Sequence, residues 1–142
     1  MRIKNNKMKS KEIIVDASET ALGRVASFAA KQALLGKEVI IVNCNNVLIT
    51  GRKRTTINSY QIKRKRGGAS LKGPNFPKSP ERLMKRTIRG MLNYKQQRAL
   101  SAFKRIKCYN DVPENYANSK KFSIARDLRT KSISLLELNK EI

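Results

Sequence analysis

The chain of 142 residues contains no histidine and only two cysteines, Cys44 and Cys108. The absence of histidine excludes a Ser/His/Asp or Cys/His catalytic triad and any metal site that depends on imidazole. Two cysteines are too few for a four-thiolate zinc site or a disulfide framework, so buried free thiols are expected. Long apolar runs are also missing, and none approaches the ~20 residues that cross a bilayer. We therefore expect a small intracellular protein without a cofactor, a metal or a small-molecule substrate.

Acidic residues are scarce as well, because 10 Asp and Glu stand against 32 Lys and Arg, a formal net charge of +22. The excess lies in residues 52–107, which hold eighteen basic residues and a single acid, Glu81. The flanking segments 12–51 and 108–142 are close to neutral. A segment of this charge repels itself, so a polyanion such as a nucleic acid is the expected partner. A membrane surface is disfavoured because the basic faces lack the apolar stripe of an interfacial helix.

The N-terminal half of the chain predicts a strand–helix–strand unit. The β-branched run at residues 12–16 predicts a buried strand. Apolar residues then recur at helical spacing from 21 to 33, and Gly36 is placed as a left-handed residue after the helix. Residues 38–43 predict a second strand that is covered on both faces. Two such strands should be parallel and joined by a right-handed crossover.

The start of that first helix contains the polar residues that could be taken for a site. We predict Thr20 or Ser18 as the N-cap. We expect Asp16 and Glu19 to cap the N-terminus of the helix rather than to form a catalytic carboxylate pair. The turn lacks the G-x-G-x-x-G pattern of a dinucleotide site. A glycine inside a helix, such as Gly23, costs about 1 kcal/mol of stability relative to alanine. We expect close packing of the helix against a strand or RNA to compensate for this cost.

The basic segment begins after residues 47–50, which form either a third strand or the last turn before a helix. Residues 52–66 predict a helix with Ile57, Tyr60 and Ile62 or Gln61 turned inward. Residues 67–80 hold three Gly and three Pro and predict a loop. The loop lacks the spacing of a nucleotide-binding P-loop. We interpret it instead as a segment whose glycines allow it to approach an RNA backbone closely.

The remaining elements are predicted from capping residues and helical periodicity. Ser79 and Pro80 open a helix, and its inward face is Leu83, Met84, Ile88, Met91 and Leu92. A helix over residues 96–105 should bury Leu100, Phe103 and Ile106. Residues 107–109 predict a fourth strand, residues 122–133 an edge strand, and Ser134 with Glu137 the capping box of a terminal helix.

Several motifs occur in the order and spacing of one family. They are Ile14-Val15-Asp16-Ala17, Leu22-Gly23-Arg24-Val25-Ala26-Ser27, Leu34-Leu35-Gly36-Lys37, Val42-Asn43, Ile49-Thr50-Gly51, Arg89-Gly90-Met91-Leu92 with Lys95 and Arg98, and Val112-Pro113. Over residues 12–118 the chain resembles the family of large-subunit ribosomal protein number thirteen, in its archaeal and eukaryotic branch.

The resemblance implies an α/β fold with three layers, α/β/α, around a four-stranded, mainly parallel sheet. We expect a basic tail at residues 1–11, disordered until RNA binds, and one α/β domain over 12–142 with a basic helical insert at 52–107. The implied role is that of a structural, non-enzymatic constituent of the large ribosomal subunit in the cytoplasm. Its implied partners are large-subunit rRNA and neighbouring ribosomal proteins.

The predicted RNA contacts are basic residues of the insert, and most of them should bind phosphates. They are Arg52, Lys53, Arg54, Lys63, Arg64, Lys65, Arg66, Lys72, Arg86, Arg89, Lys95 and Arg98. Of the aromatic residues Tyr60, Phe76 and Tyr94, which could stack on bases, Tyr60 is expected in the core instead. Two alternatives are an RNA-processing or RNA-modifying enzyme with a basic substrate groove, which would need an acid/base or metal set, and a DNA-packaging protein.

Overall fold

The computed structural model describes residues 11–70 and 72–142, so the prediction for the N-terminal tail falls, Lys11 apart, outside the described residues. The strands are β1 (Glu12–Asp16), β2 (Glu38–Val42), β3 (Leu48–Thr50), β4 (Ile106–Cys108), β5 (Phe122–Ser123) and β6 (Ser132–Ser134). The helices are α1 (Leu22–Leu34), α2 (Lys53–Lys65), α3 (Pro80–Met91), α4 (Gln97–Lys104) and α5 (Leu135–Glu141).

The main sheet has the strand order β4-β2-β1-β5. All three pairings are parallel, with Glu12 opposite Glu38 where β1 meets β2 and Ile41 opposite Cys108 where β2 meets β4. The helix α1 ends where predicted, and Gly36 follows it with a φ of 91°. The α/β fold with a four-stranded parallel sheet, expected from the strand–helix–strand pattern and the resemblance, is confirmed.

Helices cover one face of this sheet. The loop after β4, with a short 3-10 helix at Glu114–Tyr116, covers the other face in place of the second helical layer that the resemblance implied. On the helical face α1 presents a row of alanines, including Ala26 and Ala29, to the larger side chains of α3 such as Met84 and Ile88. Small residues on one helix let the other approach closely, which keeps the core dense. On the opposite face Ile14, Ile40 and Val42 pack under Tyr109, Val112 and Tyr116, from the loop that follows β4.

A second, two-stranded sheet resolves the ambiguity at residues 47–50. The strand β3 pairs antiparallel with β6, with Ile49 opposite Ile133. The helix α5 begins directly after β6, and the Glu137 backbone N–H donates to the Ser134 hydroxyl at 3.2 Å, so Ser134 is confirmed as the N-cap. The Glu137 carboxylate pairs with Lys53 instead of closing a full capping box. Leu135 and Leu138 are fully buried and join the main core.

The predicted cap of α1 is wrong. The N-cap residue is Ala21, and no side chain caps the helix. Thr20 instead donates its hydroxyl proton to the Ser18 carbonyl, and its own carbonyl accepts the Leu48 N–H at 3.0 Å. The start of α1 is therefore positioned by β3, a partner distant in sequence.

Burial also departs from the helical predictions at several positions. A Cβ on Gly23 would meet nothing within 4 Å, so close packing within the described protein does not explain this glycine. Met91 is 46% exposed and Ile62 is 52% exposed, which contradicts their inward placement. In α4 the alanines 99 and 102 are buried, whereas Leu100 and Phe103 are only half-buried.

Candidate nucleic-acid interface

The helix α2 lies on the surface of the fold. None of its residues is fully buried, and only Ile57 and Tyr60 contact the main core, from half-buried positions. Its charged residues other than Lys63 are exposed. Its last turn carries Lys63, Arg64 and Lys65, whose charges suit the negative end of the helix dipole. The helix therefore presents cations without contributing much to the core.

One of the predicted contacts has an acidic partner. The Lys53 ammonium pairs with the Glu137 carboxylate of α5, and both side chains are solvent-exposed. The hydrogen bond to Glu137 and its charge raise the pKa of Lys53. Within residues 11–70 and 72–142 this is the only ion pair between side chains, so the other cations of the basic segment have no carboxylate within salt-bridge distance there.

The loop that follows α2 closes on itself at two glycines. Gly67 has a φ of +119°, and a Cβ on it would lie 2.5 Å from the backbone nitrogen of Gly73. A Cβ on Gly73 would in turn collide with the backbone carbonyl of Arg66. The backbone at Gly67 therefore touches the backbone at Gly73, and only glycine fits at either position.

Beyond this closure, an aromatic pair and two cations hold the loop against α2 and α3. The rings of Tyr60 and Phe76 meet edge to face, with centroids 5.5 Å apart. The Lys63 ammonium lies 4.8 Å from the centre of the Tyr60 ring, and the Arg86 guanidinium carbon lies 4.6 Å from the centre of the Phe76 ring. Burial of its phenol raises the pKa of Tyr60. Tyr60 and Phe76 are therefore occupied by each other rather than open to bases.

Two arginines also hold the loop through its backbone. Arg86 donates from Nη1 to the Asn75 carbonyl at 3.1 Å, and Arg64 donates from Nη1 to the Phe76 carbonyl at 3.3 Å. These arginines come from α3 and α2 respectively. The loop is fixed between the two helices by the same side chains that the sequence marks as RNA contacts.

The helix α3 carries four cations at i, i+3, i+4 and i+7, namely Arg82, Lys85, Arg86 and Arg89. Together with Asn75, Pro77 and Phe103 they line a groove of about 270 Å³. Arg82 was not among the contacts predicted from the sequence, although its spacing from Arg86 and Arg89 was a usable signal. The groove gives α3 a cationic face away from the sheet.

Lys85 has a different role from the arginines beside it. Its ammonium donates to the Phe103 carbonyl at 3.0 Å and to the Ile106 carbonyl, and it lies 4.4 Å from the centre of the Phe103 ring. Burial lowers the pKa of Lys85. Lys85 therefore ties α3 to α4 and β4 rather than facing a partner.

The remaining predicted contacts are solvent-exposed. The Arg89 guanidinium lies 5.2 Å from the centre of the Tyr94 ring, which is 44% exposed and remains available for stacking. The side chains of the other exposed residues form no hydrogen bond within the described part of the chain. These residues are Arg52, Arg54, Lys65, Arg66, Lys72, Lys95 and Arg98.

The rest of the described surface offers little to a catalytic interpretation. Within residues 11–70 and 72–142, no three residues of the types His, Cys, Asp and Glu are grouped so that they could hold a metal ion. The same ranges contain no helix with the length and apolar character that a membrane crossing requires. Asp16, part of the one carboxylate pair noted in the sequence, accepts hydrogen bonds from the Ser18 backbone N–H and from Asn43.

Comparison with known proteins gives a consistent result. Residues 10–115 match the family described as Ribosomal protein L13. The chain is 44% identical over 123 residues to the large ribosomal subunit protein uL13 of Methanosarcina barkeri, covering 85% of this chain and 87% of the relative. It is 41% identical over 132 residues to the protein of the same name from Methanocaldococcus jannaschii, covering 91% and 96%. The protein of the same name from Thermoplasma volcanium is 39% identical over 133 residues, covering 91% of this chain and 96% of the relative.

Proposed function

Because the chain belongs to the Ribosomal protein L13 family, we propose that it is a structural constituent of the large ribosomal subunit that binds large-subunit rRNA through the basic segment 52–107. Its relatives are named as large ribosomal subunit proteins, which gives the assembly and its cytoplasmic location. The relatives' names do not specify the rRNA contact, so the direct contact and the residues that make it are proposed from the basic segment itself. Neighbouring proteins of the subunit are further partners of the same assembly.

The observation that carries the proposal is the arrangement of unpaired cations. Eighteen basic residues face one acid within 52–107, and the described residues form one ion pair, Lys53 with Glu137. Cations left without acids on a folded surface attract the phosphates of a nucleic acid and release its counterions. The near-neutral main sheet, with α1, supplies the support from which this surface projects.

Apart from Lys53, which pairs with Glu137, the predicted contacts divide into two groups with different tasks. Lys63, Arg64 and Arg86 hold the glycine- and proline-rich loop in one shape, through the Tyr60 and Phe76 rings and two carbonyls. The exposed group binds phosphate and sugar, because A-form RNA hides its base edges in a deep, narrow groove. Arginine in that group suits bidentate phosphate contacts, and lysine acts as a point charge. The exposed group consists of Arg52, Arg54, Lys65, Arg66, Lys72, Lys95 and Arg98, with Arg89 beside Tyr94.

The basic segment is also part of the fold. The helix α3 buries Leu83, Met84 and Ile88 in the main core, and β4 is a strand of the main sheet. We regard residues 12–142 as one α/β domain on this basis, with α2 and the loop as its projecting part. RNA bound at α3 would therefore contact a helix that also forms part of the core of the protein.

The enzyme interpretation has no support from the relatives. The family and its curated members are named as ribosomal proteins rather than enzymes. Nine of the ten acids lie outside the basic segment, so a basic substrate groove there would lack general acid and base groups. No specific observation favours a DNA-packaging role.

The test is co-sedimentation of the tagged full-length protein through a sucrose gradient of cell lysate, before and after a high-salt wash. We expect the protein to travel with the large subunit and to resist the wash. Recovery at the top of the gradient, or loss in the wash, would refute an integral role. Crosslinking in the same fractions then distinguishes rRNA contact through 52–107 from attachment through protein neighbours alone.

A further inference from the structure

The two cysteines of the chain lie beside each other at one corner of the main sheet. Cys44 follows β2, and Cys108 ends the neighbouring edge strand β4, where it stands opposite Ile41. The Tyr109 N–H donates to the Ile41 carbonyl at 2.8 Å, and the Cys44 N–H donates to the Tyr109 carbonyl at 3.1 Å. Backbone hydrogen bonds therefore fix the chain around Cys44 to the chain around Cys108.

Both thiols also lie on the same side of the sheet. Cys44 is fully buried in the main core, and Cys108 packs against that core from a half-buried position. Tyr109, the next residue, packs into the cluster on the opposite face. Hydrogen bonding to Cys108 together with burial raises the pKa of Cys44. Both cysteines are free thiols here.

We infer that Cys44 and Cys108 form a redox-sensitive dithiol, which closes to an intramolecular disulfide when the protein meets a small-molecule disulfide such as oxidised glutathione. Cys108 is the half-exposed thiol and reacts first. Its thiolate attacks one sulfur of the oxidant, which forms a mixed disulfide and releases one small thiol. Cys44 then attacks the Cys108 sulfur and releases the second small thiol. The two protein thiols lose two electrons and two protons, and the oxidant gains them.

The order of the two steps follows from burial. Cys44 has no exposed surface, so a small oxidant reaches it only through Cys108. A thiol of raised pKa is slow as a first nucleophile, but a mixed disulfide at Cys108 would bring an electrophilic sulfur to the segment that is hydrogen-bonded to Cys44. Neither cysteine should therefore oxidise alone to a stable adduct in the native protein.

The bond would stabilise the part of the protein that carries the basic surface. Residues 52–107 lie entirely between the two cysteines, so the disulfide closes a loop around them. It would fasten β4, an edge strand of three residues, to the turn that follows β2. Closing a long loop constrains the unfolded chain, so the oxidised protein should melt at a higher temperature than the reduced protein.

The experiment uses the purified full-length protein, first reduced and then incubated with oxidised glutathione under native conditions at high salt. Intact mass and free-thiol counts are followed with time, and the products are mapped by digestion without reductant. We expect loss of two hydrogens, simultaneous disappearance of both thiols, a monomer on a non-reducing gel and a peptide that joins Cys44 to Cys108. Retention of both thiols, or crosslinked dimers as the main product, would overturn the inference.

Two variants test the order of the steps. Cys44→Ala should accumulate a single stable glutathione adduct at Cys108, whereas Cys108→Ser should keep Cys44 reduced until the protein is denatured. A persistent adduct in the wild-type chain, as in Cys44→Ala, would contradict closure. Circular dichroism of the reduced variants checks that they fold, and the wild-type peptide map decides the matter if a variant does not.

Discussion

The Arg86 guanidinium lies over the ring of Phe76, with its central carbon 4.6 Å from the ring centre, and donates from Nη1 to the carbonyl of Asn75. One side chain of α3 thus holds both the ring and the backbone of the loop that follows α2. Because the loop is fixed in the free protein, less conformational entropy remains to be lost when a partner binds. We therefore expect Arg86 to contribute to the proposed RNA binding through the shape of the loop.

Arg86→Gln should loosen the loop without unfolding the protein. Loss of the contact with Phe76 and of the bond to Asn75 should cost about 1 kcal/mol. Limited proteolysis is expected to cut several-fold faster within residues 66–79. The matched control is Arg82→Gln, which removes the same charge one helical turn earlier but whose arginine donates no hydrogen bond to the described residues of the loop. Equal cleavage of the two variants would show that Arg86 does not hold the loop.

Removal of the exposed charges at the end of α2 should weaken RNA binding and leave stability unchanged. Lys65 and Arg66 are exposed and have no acidic partner within the described residues. The double variant Lys65→Gln with Arg66→Gln should bind rRNA with a shallower salt dependence. The slope of the logarithm of the binding constant against the logarithm of the salt concentration should fall in magnitude by about 0.7–0.9 for each lost phosphate contact. The free energy of unfolding should stay within about 0.5 kcal/mol of the wild-type value.

The control for that pair is Arg126→Gln with Arg129→Gln, two exposed cations in the near-neutral C-terminal segment. These changes remove the same net charge outside the proposed interface. An equal loss of affinity in both double variants would mean that net charge alone governs binding. A matching loss of thermal stability at Lys65 and Arg66 would assign those residues to the fold instead.

Alanine at Gly67 should open the base of the loop. The added Cβ would lie 2.5 Å from the Gly73 nitrogen, and the φ of +119° is strained for any other residue. We expect weaker rRNA binding with the main core intact, measured by a binding titration beside thermal unfolding. Gly23→Ala is the contrasting substitution, because a Cβ there meets nothing within 4 Å, and it should stabilise the free protein by about 1 kcal/mol. A Gly67→Ala protein with wild-type affinity would contradict a role for loop closure.

Asp16 should make the stability of the fold depend on pH. Burial alone would raise the pKa of Asp16, but hydrogen bonds from Ser18 and Asn43, with the charge of Lys121, hold it below its usual value. A carboxyl whose pKa is lower in the folded state stabilises the fold above its unfolded pKa, and this contribution is lost as the pH falls through the folded pKa. Asp16→Asn should therefore destabilise the protein by about 1 kcal/mol at pH 7.

The denaturant midpoints of the wild type and Asp16→Asn are the measurement for that prediction. Their difference should shrink from about pH 5 downward as the wild-type carboxylate takes up its proton. A difference that stays constant to about pH 3 would mean that the aspartate acts through shape alone, and not through its charge.

Much of the fold could be predicted because its signals are local. The β-branched runs and the helical spacing of α1 define two parallel strands and a crossover without any tertiary information. The start of α1 could not be predicted in the same way, because the Leu48 N–H reaches across from β3 to the Thr20 carbonyl. The inward placement of Met91 was wrong because Leu92, the C-cap residue of α3, takes the buried position at this end of the helix.

The location proposed for the interface rests on the sequence, whereas the different contacts of its cations could not be predicted from it. Charge counts alone point to residues 52–107. No charge count distinguishes Lys65, which is exposed, from Lys85, which ties α3 to carbonyls of Phe103 and Ile106. That distinction depends on which carbonyls and rings the fold brings within reach of each ammonium. Sequence spacing alone does not supply it.

The most direct test of the account is the salt dependence with which the full-length protein binds protein-free large-subunit rRNA. If six phosphates are engaged, the affinity should fall by about a thousandfold between roughly 50 and 200 mM salt. The Lys65→Gln and Arg66→Gln double variant should show a shallower slope than the Arg126 and Arg129 control. A nearly flat salt response of the wild-type protein would contradict a phosphate-dominated interface on the basic segment.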